Sequence, residues 1–114
     1  MGKYNLGEFE EIVMLTVGVL YGNAYGVSIK KEIEERLNRK VSVGALQSAL
    51  KRLGEKGFLS AKDGESSKAR GGRPKRFFTI TAAGKNAIEE TKSTRQGLWE
   101  AIPKVALDLK FSEL

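Results

Sequence analysis

Two short runs rich in aromatic and β-branched residues, FLSAKDGE at 58–65 and PKRFFTI at 74–80, bracket a polar stretch with a Gly-Gly turn, SSKARGGR. This pattern predicts a β-hairpin. Residues 66–76 carry five basic side chains (Lys68, Arg70, Arg73, Lys75 and Arg76) and no acidic one. Any fold for the chain must therefore present a short and strongly basic ribbon.

Helical patterns surround that ribbon. In 6–21, Leu6, Phe9, Val13, Thr16, Val17 and Leu20 recur at three- and four-residue spacing, with Glu8 and Glu11 opposite. Acidic residues in the first turns suit the helix dipole, and Gly22-Asn23 reads as the stop. A second helix is expected over 25–38, from Ile29, Ile33 and Leu37, with a Glu32–Arg36 pair four residues apart and Asn38 as C-cap. A third lies within 41–57, spanning about 43–56. Ser42 is its N-cap, Val43, Leu46, Leu50 and Leu53 its apolar stripe, and Gly57 its left-handed end. Gly54 is a poor helix former, by about 1 kcal/mol, so fraying is expected at that end. Thr81 caps a fourth helix over 81–102. Ala87, Ile88, Thr91, Leu98 and Ile102 form its stripe, with Trp99 beside them, and Pro103 ends it. Residues 104–111 are expected to restart as one or two turns.

Composition narrows the function classes. The chain has 114 residues, no His and no Cys. An imidazole base, a thiolate nucleophile, an N/S zinc site and a disulfide are all excluded. No metal site or cofactor is expected, and an enzyme is disfavoured. No apolar run reaches the roughly 18 residues of a membrane span. The N-terminus lacks a signal-peptide pattern, and a cytoplasmic protein is expected. The net charge is +6, and it is segregated. Residues 1–27 have one basic and three acidic side chains, 28–80 have 14 and 6, and 81–114 have 5 and 5. The excess thus falls on the second helix, the third helix and the hairpin, which points to a polyanion.

Three helices followed by a hairpin and a long helix make an α+β, mostly α chain. The expected fold is a winged helix-turn-helix over 1–80, with a C-terminal dimerisation helix over 81–114. In such a fold the third helix enters the DNA major groove and the hairpin lies on the backbone or minor groove. The outer face of the third helix fits that task. Gly44, Ala45 and Ser48 allow close approach, Gln47 suits adenine, and Lys51 and Arg52 suit phosphate or guanine. Lys68, Arg70, Arg73, Lys75 and Arg76 suit phosphates or a narrow minor groove. Ser42 joins the DNA-binding set at the tip of the third helix. Tyr25 is read equally as core or as a phosphate contact. Phe77 and Phe78 alternate on a strand, so at least one is core. A winged-helix module that binds protein instead of DNA is the alternative.

The stretches LGEFEEIVMLTVGVL, AYGVSIKKEIEERL, VSVGALQSALKRLGEKGFL and GGRPKRFFTITAAGKNAI also resemble the short type of PadR-like transcriptional regulators, across residues 6–88. The resemblance implies a homodimer joined through the C-terminal helix, usually a repressor, acting on a near-palindromic operator. It places Ile88, Thr91, Leu98, Trp99 and Ile102 at the dimer interface. It also makes Trp99 a candidate ligand pocket for a flat hydrophobic effector, against the plainer reading of a Trp packed in the seam. Gln47 stands where the family commonly has Tyr, and Gly54 where its RLEEKG pattern has Glu. The family's operator rules therefore do not carry over.

Overall fold

The computed structural model describes residues 6–66 and 74–108, with backbone alone at 65 and 66. Its elements are α1 (Glu8–Val19), α2 (Gly26–Leu37), α3 (Val43–Glu55), β1 (Leu59–Ser66), β2 (Pro74–Ile80), α4 (Ala82–Ala101) and a 3-10 turn (Lys104–Leu107). The order matches the expected winged helix-turn-helix. Element ends move by a residue or two, as helix ends commonly do. The restart after Pro103 is the single 3-10 turn, and 109–111 lie outside the described residues.

The ends form for local reasons. Ser42 Oγ accepts from Ala45 N at 3.0 Å and starts α3. Thr81 Oγ1 accepts from Gly84 N at 3.0 Å and starts α4. Each satisfies a donor that has no partner within its helix. Asn38 closes α2 in the left-handed conformation at φ 50°, and Gly57 follows α3 at φ 79°. Fraying at Gly54 does not occur. Lys56 N donates to Arg52 O at 2.9 Å, and buried Leu50 and Leu53 hold the last turn down.

One core joins these elements: Val13, Met14 and Val17 of α1, Ile29 and Ile33 of α2, Leu46, Ala49, Leu50 and Leu53 of α3, then Phe58, Leu59 and Ala87. Two members of the expected α2 and α3 stripes are not in it. Val43 and Leu37 are exposed, because each sits at a helix end beyond the reach of the neighbouring helices.

The hairpin is antiparallel, pairing Leu59 with Ile80, Ala61 with Phe78 and Asp63 with Arg76, with an irregularity between Asp63 and Ser66. Phe78 packs on the core, and Phe78 N donates to Ala24 O at 2.8 Å, which ties the hairpin to the entry of α2.

The first turns of α4 also belong to the core, since Gly84 and Ala87 are buried. The expected division at 80/81 thus runs through packed structure. Thr81 Oγ1 donates to Gly57 O at 2.6 Å and Thr81 N to Phe58 O at 3.1 Å, which anchors α4 to the end of α3.

Candidate nucleic-acid interface

The face of α3 turned away from Leu46, Ala49, Leu50 and Leu53 carries Gly44, Gln47, Ser48 and Lys51, all exposed. A Cβ on Gly44 would meet nothing within 4 Å. The helix therefore offers a flat, small and polar surface at its N-terminal end and a cation one turn further on. Ser42 is exposed at the tip, but its hydroxyl is engaged in the cap.

Beside α3 stands the base of the hairpin. Tyr25, the N-cap residue of α2, meets Phe77 edge to face with centroids 5.6 Å apart. Lys75 Nζ lies 4.4 Å from the Tyr25 ring centroid, a cation–π contact. Tyr25 N donates to Ser28 Oγ at 2.9 Å. Tyr25 thus braces the hairpin against the start of α2, a packing role. Two grooves of about 510 and 250 Å³ share Gln47, Arg76 and Phe78, so Arg76 of β2 borders the exposed flank of α3.

The turn between α2 and α3 is pinned by a carboxylate. Glu34 Oε2 accepts from Val41 N at 2.8 Å and from Lys30 Nζ at 3.0 Å. The bond from Val41 and then that from Lys30 lower the Glu34 pKa from its usual value. This holds the angle between the two helices.

Arg52, expected at phosphate or guanine, is tied inward. Its Nε donates to Glu10 Oε2 at 2.9 Å, and Lys56 Nζ donates to Glu10 Oε1 at 2.8 Å. Gly7 N donates to Glu10 Oε1 at 3.0 Å. Burial alone would raise the Glu10 pKa, but the donors from Lys56, Gly7 and Arg52 outweigh it and bring the value to about 2. Arg52 therefore helps to lock α3 against α1. Sequence reading passed over Glu10 as one of three acidic residues in a first turn. The signal was its spacing, three, four and seven residues before Val13, Met14 and Val17, which puts a carboxylate on the buried face.

Lys68, Arg70 and Arg73 lie outside the described residues. Lys51, Arg76, Gln47 and Tyr25 line the two grooves, and Lys75 lies over the Tyr25 ring at their border. Among the described residues no group of acidic side chains could hold a metal ion, and no helix is long and apolar enough to cross a membrane.

The expected interface on α4 divides. Leu98 and Trp99 are 65% and 66% exposed, whereas Ile88, Thr91 and Ile102 are half-buried. Ile88 packs on the core, and Thr91 Oγ1 donates to Ala87 O at 2.9 Å. Trp99 shares a groove of about 350 Å³ with Leu15 of α1, which is 48% exposed and escaped sequence reading. Arg95 Nη2 donates to Glu11 Oε1 at 2.9 Å along the same seam.

The model of the transcriptional regulator PadR-like family matches residues 15–90, two thirds of the chain. The chain belongs to the PadR-like family. Its members are transcriptional regulators and not enzymes. Solved structures agree with the fold of this PadR-like chain. One is a PadR-like transcription factor from bacteroid fragilis, 27% identical, with a TM-score of 0.68 over 81% of this chain and 84% of that one. A complex structure of hsRosR-S1 is 25% identical, with a TM-score of 0.68 over 85% and 79%. A PadR family regulator from Eggerthella lenta, 19% identical with a TM-score of 0.67 over 90% and 88%, shares the fold. Among curated proteins none matches.

Proposed function

We propose that this regulator binds duplex DNA sequence-specifically as a homodimer in the cytoplasm, and that it represses the genes whose near-palindromic operator it occupies. α3 lies in the major groove, and the basic hairpin lies on the backbone or minor groove. One observation carries the reading. α3 turns Leu46, Ala49, Leu50 and Leu53 inward and presents Gly44, Gln47, Ser48 and Lys51 outward, with Arg76 beside them. A face of small, polar and cationic side chains suits a polyanion whose base edges must be approached closely.

Binding should weaken steeply with salt, since several phosphate contacts give a log–log slope of several units. Lys51→Ala should weaken binding to all duplexes and reduce that slope by about one. Gln47→Ala should chiefly change which sequence is preferred. Fluorescence anisotropy across a salt series, on promoter and random duplexes, reads both effects. Salt-insensitive or absent binding would refute DNA recognition.

The dimer reading rests on Leu98 and Trp99, two large apolar side chains exposed on the outer half of α4, with Leu15 in the same groove as Trp99. A second copy would cover them. The double variant Leu98→Glu/Trp99→Glu should be a folded monomer by light scattering. A dimer in that variant would place the interface elsewhere. A flat hydrophobic effector would bind where Trp99 lines that seam.

A further inference from the structure

The surface assigned to DNA holds two side chains of the wrong polarity. Val43, the first residue of α3, is 61% exposed, and Val27, near the start of α2, is 59% exposed. They border the groove of about 250 Å³ between these two helix starts and the hairpin, with Tyr25, Leu46, Pro74 and Phe78. Its charged lining is cationic, Lys30 and Arg76, with no acidic side chain. Gln47 stands at its edge. A Cβ on Gly26 would lie 3.5 Å from Gln47 Nε2, so the amide sits over the start of α2. Val43 and Gln47 are four residues apart and share one flank of the helix.

An apolar recess with the Arg76 guanidinium at its rim, and Lys30 paired to Glu34 beside it, suits a partner that is anionic overall and apolar at one point. In the major groove the thymine 5-methyl is the one apolar group that a base edge presents. We propose that Val43, supported by Val27, packs on the 5-methyl of a thymine next to the base pair read by Gln47. The inference rests on the proposed placement of α3 in the major groove. It adds a specificity determinant that makes no hydrogen bond: Gln47 contributes polar discrimination, and Val43 selects for the methyl. An alanine at 43 keeps the helix and removes the contact, since the Val43 side chain is outside the core.

Replacing thymine by uracil deletes this methyl and leaves base pairing unchanged. Duplexes are first selected from a random-sequence library with the full chain. Each thymine of the selected duplex is then replaced by uracil, one position at a time, and binding is measured by anisotropy at fixed salt. The expected result is a loss of about four- to tenfold at one position in each half-site for the wild type. Val43→Ala should bind the thymine and uracil duplexes equally. Lys51→Ala should bind both more weakly while keeping the wild-type ratio. Uracil duplexes that all bind the wild type like thymine, or a Val43→Ala chain that keeps the wild-type ratio, would overturn the inference while DNA binding stands. A chain that binds no duplex overturns both.

Discussion

Gly84→Ala should destabilise the fold by about 3 kcal/mol, among the largest effects of any single methyl added to this chain. A Cβ at Gly84 would lie 2.2 Å from Phe58 O, 3.0 Å from Phe58 C and 2.9 Å from Met14 Cε. The methionine end can swing away, but the Phe58 carbonyl cannot, because it accepts from Thr81 N. α4 would have to lift from the end of α3 and give up its anchor there. The expected sign is the reverse of the usual one, since Gly→Ala within a helix normally stabilises by about 0.5–1 kcal/mol. Gly54 of α3 provides the contrast, with nothing within 4 Å of a Cβ. Gly54→Ala should therefore stabilise. Urea unfolding of both variants at one protein concentration reads the comparison, because the proposed dimerisation would make stability concentration-dependent. Equal effects at the two glycines would show that α4 does not press on Phe58.

Glu10→Gln should cost about 2 kcal/mol near neutral pH. A carboxylate held near 2 against its ordinary 4.5 would contribute about 3 kcal/mol by linkage. That figure is reduced because Arg52 is half-exposed and Lys56 one-third exposed, so solvent screens both. The folded-state value lies below the ordinary one. The contribution is therefore complete above about pH 4.5 and is lost as pH falls toward 2. Wild type and Glu10→Gln should differ at pH 7 and converge between pH 4.5 and 2, as read by thermal melts across that range. A gap that stays constant down to pH 2 would refute the ion-pair origin. The variant should also loosen α3 against α1 and so weaken DNA binding without changing sequence preference.

Much of the fold was legible because its determinants are local. Ser42 and Thr81 announce helix starts by hydroxyl chemistry, and Asn38 and Gly57 announce ends by tolerating positive φ. Periodicity separated Leu46, Leu50 and Leu53 from Gln47, Ser48 and Lys51, so most of the α3 face was legible too. Local reading failed where a residue's fate depends on distant chain. Arg52 looked like any cation on a polar face, and its partner Glu10 lies 42 residues away. Val43 continued the apolar stripe, but the stripe outruns the helices that cover it.

The sequence by itself determined the order of elements, their caps and the confinement of positive charge to residues 28–80, because propensity, capping and charge act over a few residues. Only the tertiary structure decided which members of each pattern are used. It buried Glu10 and fastened Arg52 to it, left Val43 and Val27 in the open, and placed the Phe58 carbonyl against Gly84. Burial and steric contact depend on what lies across the core, and no local period encodes that.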